Sequence, residues 1–216
     1  MSSGSERVLV RLDGEDAEAA IRTAQDLGGT VGGWVIGMDL LLDCGPILVG
    51  ALCALGKRVL VDLSFLARPS VVARGVARMG KLGARWVSVS GLGGRAAVEA
   101  AVGAGRDYPD TGVAISASWT GWLRDDELRG VGIGDTPGQQ VSRMTKLAVR
   151  CGADGIVFPA PESGVVVQVS GNSERFSRFA EASGGLSSGG KMGETSDILA
   201  RGAHWVIVPQ HAVLGD

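Results

Sequence analysis

Short apolar, β-branched runs recur along the chain at intervals of roughly 25 residues, separated by Ala-, Leu- and Arg-rich stretches with helical spacing. Strands that are apolar throughout must be covered on both faces, so this alternation predicts parallel strands joined by crossover helices. The runs fall at 8–13, 33–37, 58–63, 86–90, 113–118 and 155–159, with a weaker one at 179–183 and a last one at 205–208. Four follow a small-residue turn of the kind that ends a helix: Leu55-Gly56-Lys57, Leu82-Gly83-Ala84-Arg85, Cys151-Gly152-Ala153-Asp154 and Arg201-Gly202-Ala203-His204. These units, in 216 residues, suit one α/β domain, a single (β/α)8 TIM-type barrel over 6–216 behind a disordered 1–5. A doubly wound open sheet competes less well, because no G-x-G-x-x-G follows the first run. The stretch 165–170 reads as extra extended chain, an insertion or an edge hairpin.

The remaining composition narrows the function. Lys and Arg total 21 against 23 Asp and Glu, and no basic block could track a phosphate backbone, so nucleic acid is not expected as a partner. Cys44, Cys53 and Cys151 lack CxxC spacing and stand beside only two histidines, which suggests neither disulfides nor a metal site. No apolar run reaches the length of a membrane span and no signal core opens the chain, so a cytoplasmic protein with no membrane association is expected.

Barrel enzymes carry their chemistry on the carboxyl ends of the strands. That rule selects Asp13, Gly37, Asp62, Ser64, Ser88, Ser90, Ser118, Thr120, Pro159, Gly184, Gly185, Gln210 and His211. Alternation from Asp13 turns Arg11 inward too, and an arginine there needs a partner. Asp62 is the nearest candidate, so a buried Arg11–Asp62 pair, shared with Asp13, is expected. Without a nearby cation, the two carboxylates would instead raise one another's pKa and supply an acid–base pair. His211 is the titrating candidate at the mouth, the alternative being a loop histidine in solvent. Ser88, Ser90 and Thr120 could bind a ligand or merely cap backbone groups. Arg68 reaches the mouth or a partner subunit, or simply begins a helix. His204, before the last run, belongs to the opposite end. Trp119 and Trp122 form a lid or loop packing.

Leu12-Asp13, Ile36-Gly37 followed by Cys44-Gly45-Pro46, and Asp62-Leu63-Ser64-Phe65-Leu66-Ala67-Arg68-Pro69 together resemble the LD, KxG…GP and DxKxxDxP pattern of the orotidine 5'-monophosphate decarboxylase superfamily. Val87-Ser88-Val89-Ser90 with Gly93-Gly94 resembles that family's fourth strand. Arg124 to Leu128, Val141, Leu147-Ala148 and Gly152 to Gly155 resemble its fifth and sixth units. The likeness spans nearly the whole chain and is weakest over 160–190. It implies a lyase acting on a small molecule, a homodimer with mouths near the interface, and no cofactor or metal.

The chain departs from that pattern at its charges. The resemblance implies a lysine where Ser64 stands, a second lysine at Val35 and a second aspartate at Ala67, the residue donated across the dimer. Of the charge array only Asp62 remains, with Asp13 at the position implied to contact ribose. A serine cannot replace an ammonium as acid, and each lost charge costs about 3 kcal/mol of transition-state stabilisation by analogy with other electrostatic contacts. The Gly-Arg implied at the last strand is Pro209-Gln210, which lacks one N–H donor and one charge. The glycine-rich segment 183–191, with Gly184, Gly185 and Lys191, could still present N–H groups and a cation to an anion. Two readings stay open: a repurposed lyase-type enzyme with Arg11, Asp13, Asp62, Ser64 and His211 as catalytic candidates, and a non-catalytic ligand- or partner-binding barrel.

Overall fold

The computed structural model describes residues 5–14, 16–64, 66–117, 125–178 and 194–214. The eight parallel strands are β1 (Val8–Arg11), β2 (Gly33–Ile36), β3 (Arg58–Leu63), β4 (Trp86–Ser90), β5 (Gly112–Ser116), β6 (Gly155–Pro159), β7 (Glu174–Arg178) and β8 (Trp205–Pro209). Each pairs with the next, and β8 returns to β1 through Val8↔Val206 and Arg11↔Pro209, which closes the sheet into a barrel. An open doubly wound sheet is thereby excluded. Between the strands run α1 (Ala17–Leu27), α2 (Met38–Cys44), α3 (Ile47–Cys53), α4 (Pro69–Lys81), α5 (Gly94–Gly105), α6 (Asp125–Gly130), α7 (Pro137–Arg150), α8 (Ser163–Val169) and α9 (Thr195–Ala200), with α10 (His211–Leu214) after β8. Among the described residues no helix is long and apolar enough to cross a membrane.

Local sequence explains where the helices start and stop. Asp16 caps α1 by accepting from the Ala19 N–H at 2.7 Å. Thr136-Pro137-Gly138-Gln139 forms a capping box, Thr136 N–H donating to Gln139 Oε1 and Gln139 N–H to Thr136 Oγ1. The four small-residue turns behave alike: Gly56, Gly83, Gly152 and Gly202 all have positive φ, from 75° to 99°. After Gly83 and Gly152, the N–H of Ala84 and of Ala153 reaches back to Met79 and Ala148, and the next residue joins the sheet.

Alternation along the strands sorts the core into two shells. Val8, Val10 and Leu12 point outward, into the cluster that seats the helices. The inner cluster takes one residue from every strand: Leu9, Val35, Leu60, Trp86, Ala114, Val157, Phe176 and Ile207. Trp205 closes this layer at the amino-terminal end, with the Trp86 and Phe176 rings 5.1 Å apart and the Trp86 and Trp205 rings 4.9 Å apart. Small residues at strand starts make room for the plug: a Cβ on Gly155 would press on the Phe176 ring, and one on Gly112 on Trp86. At Gly33 the obstacle is the backbone carbonyl of Arg58, which cannot rotate away. Gly33→Ala is therefore expected to part β2 from β3 and lower the thermal midpoint more than Gly29→Ala, where a Cβ meets nothing.

Two expectations from sequence are corrected. The seventh strand is Glu174–Arg178, ahead of the expected 179–183, which lies outside the described residues. Its charged residues hid it: burial pushes the Glu174 carboxyl up, Arg175 binds loop carbonyls and His204, and Phe176 is its one large apolar residue. The valine-rich stretch expected to be extended is helix α8, held beside α7 with Val166 buried. Packing overrides the β preference of valine there.

Candidate functional site

Two residues beyond the inner apolar layer, the same alternation brings Arg11, Gly37, Asp62, Ser88, Ser116, Pro159, Arg178 and Pro209 toward the mouth. Asp62 lies at the centre of the contacts. It is 6% exposed and receives three donors: Ser88 Oγ at 2.8 Å and the Ser64 N–H at 3.1 Å on Oδ1, and Arg178 Nη2 at 3.0 Å on Oδ2. Burial pushes its carboxyl up, but the Arg178 charge, the Ser64 and Ser88 hydrogen bonds and the more distant Arg11 outweigh burial. Asp62 therefore titrates below the ordinary carboxylate range and stays ionised.

Arg11 takes a different partner from the one expected. Its Nη2 lies 3.1 Å from Asp39 Oδ2 and 3.2 Å from Oδ1, and its Nε is 4.0 Å from Asp13 Oδ1. The buried Arg11–Asp62 pair is thus replaced by two pairs, Arg11–Asp39 and Arg178–Asp62. Asp39 stands in the first turn of α2, directly after Gly37, where a carboxylate also favours the helix dipole. Gly37 makes this possible, since a Cβ there would overlap both the guanidinium and the Asp39 carboxylate. Because a cation does approach each carboxylate, the mutual pKa elevation expected of an isolated pair does not apply to Asp62.

The Arg11–Asp39 pair is exposed enough to be screened, with side-chain accessibilities of 33% and 52%. Asp39→Asn is expected to cost less than about 1 kcal/mol in a denaturant titration, with the loss shrinking as salt is added.

Other expected residues spread around this centre. Gln210 Oε1 accepts from the Asp13 N–H at 3.0 Å, so its side chain ties the end of β8 to the end of β1. Ser90 accepts from the Leu92 N–H at 3.3 Å and caps the turn after β4. Ser64 is exposed beside Asp62, while Arg68 is an exposed residue at the start of α4 and His211 an exposed residue opening α10. His204 does lie at the opposite end, its Nε2 2.6 Å from Arg175 Nη2. Thr120, Trp119, Trp122, Gly184, Gly185 and Lys191 lie outside the described residues. Among the described residues no three His, Cys, Asp or Glu side chains converge into a metal-binding group.

Sequence reasoning missed Arg178 and Asp39. Arg178 was within reach: it stands two residues after Phe176, on the same inward face, once β7 is placed at 174–178. Asp39 carried no signal beyond its position at a helix start.

Comparison with known proteins agrees with this architecture. The family described as Orotidine 5'-phosphate decarboxylase / HUMPS family matches residues 6–209. The orotidine 5'-phosphate decarboxylase of Alcanivorax borkumensis is 34% identical over 167 residues, 77% of this chain and 72% of that enzyme. The enzyme of the same name from Sodalis glossinidius is 35% identical over 160 residues, 72% of this chain and 62% of that one. Among solved structures, the crystal structure of orotidine 5'-phosphate decarboxylase from Lactobacillus acidophilus superposes with a TM-score of 0.81 at 20% identity, covering 97% of this chain and 92% of that one. An uncharacterized conserved protein from Geobacillus kaustophilus gives 0.75 at 21% identity, covering 94% and 90%. With a closed eight-stranded barrel, a match over 6–209 and relatives above 30% identity, the chain belongs to the orotidine 5'-phosphate decarboxylase / HUMPS family.

Proposed function

We propose that the chain is a lyase-type enzyme acting on a small anionic substrate at the barrel mouth, and that it is not an efficient orotidine monophosphate decarboxylase. One observation carries this reading: the centre of the mouth is Asp62 bound to an arginine, with Ser64 where the resemblance implies a lysine. The family reaction leaves a carbanion that a lysine ammonium stabilises and protonates, and an arginine cannot supply that proton at neutral pH. Of the chain's four lysines, Lys57 precedes β3 and donates to Val31 O, Lys81 ends α4 and Lys146 is in α7. Only Lys191, after β7, remains as a candidate ammonium for the mouth. In this reading Arg11 and Arg178 set the field, Asp62 and Asp13 orient the substrate, and Ser64, Ser88, Ser90 and Gln210 shape the wall. His211, at the start of α10, and Arg68, at the start of α4, are assigned to the rim, and Thr120, Gly184, Gly185 and Lys191 are further candidates for substrate contact.

A homodimer accompanies this reading. It is supported by Leu42, Ile47 and Leu66, 76%, 76% and 65% exposed on the segments after β2 and β3. Light scattering of the purified chain tests it, and a monomer at micromolar concentration would refute it.

A second reading, orotidine monophosphate decarboxylation itself, is favoured by the names of relatives at 30% identity and above. Calorimetric titration with orotidine, uridine and 6-aza-uridine monophosphates, each beside its nucleoside, followed by a decarboxylation assay, separates the two. Rapid turnover of orotidine monophosphate would overturn the proposal. Tight binding without turnover of any substrate tried would favour a binding barrel instead.

A further inference from the structure

We propose that Arg178 is the carboxylate-binding residue of the mouth, braced by Asp62 and offering a small substrate anion the N–H groups it does not spend on that aspartate. The inference rests on reading the mouth as the substrate site, and what it adds is the residue: recognition of the substrate carboxylate is assigned to Arg178, at the end of β7.

Three observations support it. First, Arg178 is held before any ligand arrives. Its Nη2 is anchored on a carboxylate that Ser88 and the Ser64 N–H fix from the other side, so little side-chain freedom remains to be lost on binding. Second, the two cations of the mouth differ in what already surrounds them. Arg11 faces Asp39 at 3.1 Å and Asp13 at 4.0 Å, both about half exposed, whereas among the described residues Arg178 meets one carboxylate, and that one is buried. An incoming anion is repelled less at Arg178. Third, the neighbouring inward positions on β4, β5, β6 and β8 are Ser88, Ser116, Pro159 and Pro209, all shorter than arginine, and the Arg178 side chain keeps 32% of its surface exposed despite its bond to Asp62. A guanidinium fork with one nitrogen engaged fits a planar carboxylate, and its charge survives at any working pH. A dianionic phosphate would need more uncompensated positive charge than this pair offers.

The test uses ligand pairs that differ by a carboxylate: orotate and uracil, malonate and malonamide, orotidine and uridine monophosphates. Binding is measured by calorimetry and thermal shift. Because Arg178→Met alone strands Asp62, the informative variants are Arg178→Lys and the double variant Asp62→Asn/Arg178→Met. The wild type is expected to prefer the carboxylate member of at least one pair by about tenfold or more, the size of one charge-assisted hydrogen bond. Arg178→Lys should weaken that preference and the double variant remove it. No carboxylate preference in any pair, or one that survives in the double variant, would overturn the inference. So would tighter binding of uridine monophosphate than of uridine with no preference in the carboxylate pairs, which would assign the anion site to phosphate. Fast turnover of orotidine monophosphate would remove the proposed function yet leave this inference standing if the double variant still loses the preference.

Discussion

Arg178→Met is expected to destabilise the protein by about 3–5 kcal/mol, because it leaves the Asp62 charge buried without its cation. For a chain of this size that corresponds to a fall of roughly 10 °C in the thermal midpoint. The double variant Asp62→Asn/Arg178→Met should recover most of the loss, since neither partner is then a buried charge. A double-mutant cycle by thermal denaturation measures the coupling, and additive effects would show that the two side chains do not interact.

The pair also fixes an acid limb. Asp62 titrates lower in the fold than its ordinary value of 3.8 because Arg178, Ser64, Ser88 and Arg11 outweigh its burial. A depressed carboxylate contributes stability that is complete above the unfolded value and lost as pH falls through the folded one. Below about pH 4 the wild type should therefore lose stability more steeply than Asp62→Asn.

Phe176→Ala should cost about 3–5 kcal/mol by cavity formation at the other end of the barrel. Phe176 is fully buried, its ring is edge-on to Trp86 and stacked 6.4 Å from Trp205, and Gly155 is kept free of a Cβ to receive it. Phe176→Leu, which fills most of the volume, should cost less than half as much. Phe176 lies one inward position below Arg178, so a folded Phe176→Leu protein should keep any ligand preference that the Asp62–Arg178 double variant loses. Equal loss in both would mean that the plug and the mouth are not separate.

Where the local signal was strong the strands were legible to the residue: β3, β4 and β6 coincide with the predicted runs 58–63, 86–90 and 155–159. The four glycine turns were legible for the same reason, since a positive φ is a demand that one residue type meets most easily. The seventh strand was not, because Glu174 and Arg175 serve contacts at the amino-terminal end and dilute the apolar run. Nor was α8, whose valines favour a strand until α7 is beside them.

The site divides along the same line. By itself the sequence determined which side chains face inward, because the period of a strand is two and depends on nothing outside it: Arg11, Asp62 and Ser88 could be named from alternation alone. Which of them bind each other was decided by the closed barrel. Asp62 and Arg178 are 116 residues apart, and Arg11 and Asp39 meet only because Gly37 leaves space between β1 and α2. The Asp62–Arg178 distance runs across the barrel from β3 to β7, and it exists only once the strands have closed the ring.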